Sequence, residues 1–193
     1  MKGFFHDYSY SMIKMYVNQL AISIFGVVLA MAATAADNTA LTIAAGAFSI
    51  AFYLFLLYTM TWEIGAKDRI SVDTGRKPYR PHTGLLISLI ANIPNLLVAL
   101  IYSVLYPIMG TYKWAGTINA TMNLISALTE GMYRGILSVI KVGDTQILKF
   151  WWSYFIIVIP ALITVWIAYF AGFKNFRILA GFFNNKPQQG KMK

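Results

Sequence analysis

The chain has 193 residues, of which 58% are hydrophobic and 12% are charged, and its net charge is +9. Soluble domains carry roughly 25% charged residues, so most of this chain faces something other than water. This composition excludes a soluble enzyme, a disordered tail and a nucleic-acid-binding domain. The chain has no cysteine, which also excludes disulfides, thiolate metal sites and cysteine nucleophiles.

Four stretches without a charged residue are each long enough to cross about 30 Å of hydrocarbon. They predict transmembrane helices over residues 15–36, 41–62, 85–109 and 150–171. Only Asp37–Ala40 joins the first two, so we expect an antiparallel helical hairpin there. The predicted fold is an all-α integral membrane protein, a four-transmembrane-helix bundle. Residues 1–183 form its single membrane domain, and residues 184–193 form a flexible polar tail.

The outer half of this first hairpin is rich in alanine and glycine. Gly26 and Ala30 form a small-xxx-small pair, as do Ala47 and Ala51. Such pairs let helix backbones approach closely in lipid. They predict tight packing within the hairpin, with a contact surface between two copies of the chain as the alternative.

The distribution of basic residues predicts the orientation of the bundle. With both termini in the cytoplasm, twelve of the sixteen lysines and arginines lie on the cytoplasmic side, as the positive-inside rule requires. The length and basic termini resemble those of small bacterial membrane subunits. We therefore expect a bacterial cell membrane, with anionic inner-leaflet headgroups against the basic face.

The loop from Glu63 to Gly84 is the most polar cytoplasmic element. One interpretation is that its cations set the topology and contact lipid headgroups. The other is a docking surface for a protein partner, because prolines hold an extended shape and cations pair with acidic side chains. The residues concerned are Lys67, Arg69, Arg76, Lys77, Arg80 and His82.

The third predicted span carries a polar seam. Its polar residues recur every three or four positions, which places them on one helical face; they are Ser88, Asn92, Asn95, Tyr102 and Tyr106. Pro94 has no backbone N–H and predicts a kink between the two asparagines. An asparagine amide is costly in hydrocarbon without partners, so the seam faces other helices or water. It forms either interhelical hydrogen bonds that fix packing or a small functional site.

Residues 117–141 predict an amphipathic helix on the outer face, with an exposed Glu130–Arg134 pair. Its polar residues fall on one side; they are Asn119, Asn123, Ser126, Glu130, Arg134 and Lys141. The alternative is a fifth span, but this would bury Glu130 and Arg134 and would move the basic C-terminus outside.

Aromatic side chains near both termini predict interfacial segments at headgroup depth. Near the start these are Phe4, Phe5, Tyr8 and Tyr16, with Met12 among them. After the last span they are Phe173, Phe176 and Phe183, which alternate with Lys174 and Arg177.

Motifs for catalysis, metal binding or cofactors are missing from the sequence, so no cofactor is expected. All seven acidic residues lie outside the four predicted spans, which disfavours a proton-coupled pump. The first hypothesis is a non-enzymatic multi-pass subunit of a membrane assembly, serving transport, with a protein partner. The second is a small oligomeric transporter or channel that uses the seam. The third is a lipid-modifying enzyme, for which His82, Arg76, Arg80 and Asp73 form the candidate cluster.

Overall fold

The computed structural model describes residues 2–176. Seven α-helices are found in this range: α1 (Lys2–Ala35), α2 (Thr39–Asp73), α3 (Thr83–Ala91), α4 (Ile93–Leu105), α5 (Lys113–Thr129), α6 (Arg134–Val139) and α7 (Ser153–Phe173). Short 3-10 turns occupy Tyr106–Ile108, Gly131–Tyr133 and Ile147–Lys149. Two-residue strands, β1 (Lys141–Val142) and β2 (Thr145–Gln146), pair antiparallel.

The helices α1, α2 and α7 are long and apolar enough to cross a membrane. The pair formed by α3 and the stretch from Ile93 to Ile108 passes the same test as one bent span. The chain is therefore an all-α protein with three or four candidate membrane spans. We call the end of the bundle that holds Asp37 the outer end and the opposite end the inner end. These names follow the orientation that the distribution of charges predicts.

The first two spans form the predicted helical hairpin. The side chain of Asn38 caps α2, because its Oδ1 atom accepts a hydrogen bond from the Leu41 N–H at 3.1 Å. Asp37 turns the chain with a φ of +50°. Both helices continue past their apolar stretches at the inner end, where the Tyr8 hydroxyl donates to Asp68 Oδ2 at 2.6 Å. This contact and the short turn fix the antiparallel register of α1 and α2.

Glycines allow α2 and α7 to approach closely near the inner end. A Cβ on Gly65 would overlap the backbone of Tyr169, and a Cβ on Gly172 would overlap the Trp62 carbonyl. The same face of α2 carries the small buried residues Ser49 and Thr61. The hydrophobic effect does not drive helices together in lipid, so helix association there depends on the close van der Waals packing that such small residues allow.

The third predicted span is broken, as Pro94 predicts. The axes of α3 and of the helix that follows it differ by 57°, and the break lies at Asn92, two residues before the proline. Pro94 sits in the first turn of α4. The backbone N–H groups of a first turn make no hydrogen bond within the helix, so proline, which lacks this group, is tolerated there. The prediction of a kink is confirmed, although the single span 85–109 becomes two helices.

The expected single helix over residues 117–141 is wrong in its extent. The helix α5 ends at Thr129, a 3-10 turn follows, and α6 covers only Arg134–Val139. The expected exposure of the polar face is also wrong, because Asn119, Ser126 and Glu130 are buried. A polar face turns inward when the surroundings of the bundle are apolar.

A candidate polar site inside the bundle

The segment around Glu130 lies between the two helices of the first hairpin. A Cβ on Gly26 of α1 would clash with the Met132 backbone, and one on Gly46 of α2 would lie 2.7 Å from the Ile136 nitrogen. Gly135 packs in turn on Gly46. The small residues of the first hairpin therefore make room for this segment as well as for each other.

The depth of this segment is fixed by hydrogen bonds to α1. Gln19 Nε2 donates to the Thr129 carbonyl at 3.2 Å, and Ser23 Oγ donates to the Ala127 carbonyl at 3.3 Å. Gln19 lies sixteen residues before Ala35, the outer end of α1, which corresponds to about 24 Å at 1.5 Å per residue. The chain from Lys113 to Val139 thus descends to the middle of α1 and returns, and we call it the re-entrant hairpin.

Glu130 stands at the tip of the re-entrant hairpin and is only 4% exposed. Ser126 Oγ donates to its Oε2 atom at 3.4 Å, a long hydrogen bond. The carboxyl group forms no ion pair within 4 Å among the described residues. An ionised carboxylate is costly in such a place.

The aromatic groups around Glu130 come from four elements. Four tyrosines lie near its carboxyl group: Tyr16 of α1, Tyr53 of α2, Tyr133 of the hairpin and Tyr154 of α7. The rings of Tyr53 and Tyr133 meet edge to face, with centroids 6.3 Å apart. The carboxyl group thus sits at the junction of α1, α2, α7 and the hairpin.

Arg134 does not form the exposed ion pair with Glu130 that the sequence suggests. Its Nη2 atom donates to the Asn123 carbonyl at 2.6 Å and to Asn123 Oδ1 at 2.7 Å. These bonds join the start of α6 to the side of α5, so Arg134 holds the two arms of the re-entrant hairpin together. Glu130 and Arg134 form no ion pair within 4 Å in the described part of the chain.

The polar seam lies along the break of the third span and faces the protein. Ser88, Asn92, Asn95 and Tyr102 are each at most 5% exposed, and Tyr106 is partly buried. Asn95 Nδ2 donates to Asn92 Oδ1 at 3.1 Å, and Asn92 Nδ2 donates to the Ser88 carbonyl at 2.9 Å. On the opposite side, Leu97, Leu100 and Val104 are exposed, as expected for a lipid-facing surface.

Several buried oxygen atoms in this region have no hydrogen-bond partner among residues 2–176. They are Asn95 Oδ1 on α4, Asn119 Oδ1 on α5, Thr129 Oγ1 and the Tyr133 hydroxyl at the tip of the hairpin, and the Tyr154 hydroxyl on α7. Buried polar atoms are satisfied by protein or by ordered water in most structures. Four of these five atoms lie on α4 and on the re-entrant hairpin.

Part of this site is not predicted from the sequence. Gln19 and Ser23 are 2% and 0% exposed, and they are the residues through which α1 holds the hairpin. Their spacing could have indicated this role, because two polar residues four positions apart in an apolar stretch lie on the same face of a helix. Glu130 lies inside the bundle and not at the surface, and a Cβ on its neighbour Gly131 would clash with Val27 and Ser23.

The six predicted loop residues divide into two groups. Arg76, Lys77 and Arg80 line one cavity at the inner end together with residues of α1, α2 and α7. Lys67 and Arg69 lie outside that lining, and Arg69 pairs with Asp73 at 3.6 Å. His82 precedes α3 without capping it through its side chain. The cluster proposed for a lipid-modifying enzyme is thus only partly assembled, because Asp73 and His82 do not line the cavity.

The expected N-terminal interfacial segment is instead the first part of α1. Phe4, Tyr8 and Met12 are buried in the main core, whereas Phe5 is 48% exposed. They pack inside because α2 also continues past its apolar stretch and covers them. At the other end, Trp62 Nε1 donates to the Phe176 carbonyl at 2.9 Å. Arg177, Phe183 and the expected tail 184–193 lie outside the described residues.

No protein-family model, curated protein or solved structure matches this chain. The fold is that of an all-α protein with three or four candidate membrane spans, one of them bent, consistent with a helical membrane protein. In the part of the chain that the structure describes, no three histidine, aspartate or glutamate side chains lie close enough to hold a metal ion. The function is therefore argued from the polar site itself.

Proposed function

We propose that this protein is a non-enzymatic, multi-pass membrane subunit that serves transport. In this proposal the re-entrant hairpin and the broken third span line a path for a small polar solute or for water. The observation that carries the proposal is the position of Glu130, a carboxyl group buried at the level of the middle of α1. An ionisable group at such a depth is costly, and in membrane proteins such groups mark pathways and relays.

The broken span supports the same proposal. Transport proteins use discontinuous helices because the ends of the two halves leave backbone groups free to bind solutes at mid-membrane. Here the break carries two asparagines in series, and one of their amide oxygens, Asn95 Oδ1, has no partner among the described residues. A seam that served only packing would place its amide groups in complete interhelical hydrogen bonds.

The competing explanation is that both features only fix the fold. Interhelical hydrogen bonds in membranes contribute about 0.6 kcal/mol each, so Gln19 and Ser23 stabilise the re-entrant hairpin without requiring solute. This explanation accounts for the hydrogen bonds from α1. It gives no reason for a carboxyl group at the tip, where an amide or an apolar side chain would avoid the desolvation of a charge.

Thiol labelling tests the path directly, since the natural chain has no cysteine. Single cysteines replace Asn95 and Thr129 in protein reconstituted into liposomes, and a small charged methanethiosulfonate reagent is added to the aqueous phase. We expect both cysteines to react, because a water-lined path lets the thiol ionise and the reagent reach it.

Cysteines at Leu97 and Leu128 are the matched controls. They lie on the same helices, two residues and one residue away, but they face outward with 52% and 51% exposure. A thiol in hydrocarbon stays protonated, so these controls should remain unlabelled. Absence of labelling at both Asn95 and Thr129 would leave packing as the explanation and would contradict a path.

A small transporter or channel built from copies of this chain alone is the second candidate. The polar site supports it equally, because the lining residues come from one chain. Purification in mild detergent separates the two candidates. A second protein at fixed stoichiometry supports the subunit, whereas a homo-oligomer without other proteins supports the oligomeric transporter or channel.

A further inference from the structure

A cavity of about 230 Å³ opens at the inner end of the bundle, away from the polar site described above. It is formed where the starts of α1 and α3 meet the ends of α2 and α7. The loop that follows α2 closes one side with Arg76, Lys77 and Arg80. One water needs only about 10–15 Å³ of such space, so the cavity admits a ligand of many atoms.

The carboxyl groups of this cavity already have partners. Asp68 Oδ2 accepts hydrogen bonds from the hydroxyls of Tyr8, at 2.6 Å, and Tyr169, at 2.8 Å. The Lys77 ammonium lies 2.9 Å from Asp7 Oδ2 and 3.7 Å from Asp68 Oδ1. Lys77 therefore neutralises the acidic side of the cavity, and its position over the Tyr8 ring at 4.9 Å holds it there.

Unlike Lys77, the two arginines of the cavity, Arg76 and Arg80, form no ion pair among residues 2–176. Both are exposed at the surface, and both reach the lining. With two carboxylates, one lysine and two arginines, the lining has a net charge of +1. Thr83, the first residue of α3, also lines the cavity, so the positive end of this helix dipole is at the same place. The free positive groups favour an anion, and guanidinium groups bind phosphate with two parallel hydrogen bonds.

The cavity lies at the depth of lipid headgroups. The lining begins at Tyr169, within the apolar stretch of α7, and reaches Asp68, which lies about 9 Å past the apolar end of α2 at Trp62. This range covers the headgroup layer, which extends about 5–8 Å beyond the hydrocarbon on each side. Aromatic pairs surround the cavity at this level: Phe4 with Tyr8, and Tyr79 with Phe173, whose centroids are 4.9 and 4.5 Å apart. Aromatic side chains are enriched at this interface in membrane proteins.

We infer that this cavity binds the phosphate group of an anionic phospholipid, with Arg76 and Arg80 as the phosphate ligands. Lys77 remains on its two carboxylates and holds the shape of the cavity. The site does not depend on the transport proposal, because no residue is shared between the two. It gives the basic loop a specific ligand in place of a diffuse attraction to the membrane surface.

Lipid titration of the purified protein tests this inference. Phosphatidylglycerol is added to the protein in a non-ionic detergent, and bound lipid is counted by native mass spectrometry. We expect one saturable site, and at least a tenfold loss of affinity in R76Q/R80Q, because each arginine contributes charge-assisted hydrogen bonds. The control is K67Q/R69Q, which removes the same charge from the same end of the bundle but outside the cavity, and its affinity should stay within about twofold.

Three results would overturn the inference. Equal losses in R76Q/R80Q and K67Q/R69Q would mean a diffuse electrostatic attraction. Equal affinity for phosphatidylcholine would mean that the net charge of the lipid does not matter. Displacement of the lipid by millimolar inorganic phosphate would identify a soluble anion as the ligand. If R76Q/R80Q does not fold, the single variants R76Q and R80Q provide the same comparison, each with a smaller loss.

Discussion

The buried carboxyl of Glu130 predicts that the protein loses stability as the pH rises. Glu130 is 4% exposed, and its carboxyl group forms no ion pair within 4 Å among the described residues. An isolated buried carboxylate is costly, so the folded state holds a proton that the unfolded state releases. Stability is therefore complete below about pH 4, the ordinary range of a carboxyl group, and falls as the pH rises above it, by about 1.4 kcal/mol for each pH unit over which only the unfolded state has lost the proton.

The variant Glu130→Gln removes this titration while keeping the shape of the side chain and the hydrogen bond with Ser126. Thermal unfolding in mild detergent, followed by tryptophan fluorescence between pH 5 and pH 9, measures the difference. The variant and the natural protein should have similar midpoints at pH 5. At pH 9 the variant should be the more stable of the two, by about 2–4 °C for each 1 kcal/mol of stability that the natural protein has lost.

Comparison with the variant cancels the titration of every other group, since those groups are the same in both proteins. Parallel curves for the two proteins across this pH range would refute the reasoning, because they would mean that the carboxyl group is solvated in the folded state. A variant that is less stable at every pH would mean instead that the charged carboxylate is required for folding.

The remaining predictions concern orientation and helix packing. Cysteines placed at Asn38 and Asp144 should react with a membrane-impermeant reagent in intact cells, and one at Thr74 should not; labelling at Thr74 alone would reverse the orientation. Gly172→Ala places a methyl group on the Trp62 carbonyl and should destabilise the protein by about 1–3 kcal/mol, the usual range for overpacking. Gly110→Ala has no neighbouring atom within 4 Å and should change the unfolding midpoint little.

The framework of the bundle was predictable because apolar length decides which segments can cross a membrane. The predicted spans 15–36, 41–62 and 150–171 fall almost entirely within α1, α2 and α7. The kink at Pro94 was predictable for a local reason, since a missing N–H acts on its own helix. The inward direction of the seam also follows locally, because asparagine amides avoid hydrocarbon.

The re-entrant hairpin was not predictable from its own amphipathic pattern. Such a pattern shows that two faces differ, but the face that is buried depends on whether the surroundings are water or lipid. The decisive information is distributed over distant residues. Gly26, Gly46 and Ser23 provide space and hydrogen bonds for a segment that is about a hundred residues away in the sequence, and small residues in a hairpin equally predict contact between its own two helices.

Residues 113–139 enter the bundle beside α1, and both the turn after α5 and the helix α6 also pack on α2. The most direct measurement is the cross-linking of a Ser23→Cys/Ala127→Cys pair by a short bis-thiol reagent in membranes. The Ser23 hydroxyl lies 3.3 Å from the Ala127 carbonyl oxygen, so the account predicts an efficient intramolecular cross-link. A Ser23→Cys/Thr117→Cys pair, with its second position ten residues earlier on α5, should not form one. Failure of the first pair to cross-link, with both thiols shown to be reactive, would place the segment on the outer surface and contradict the account.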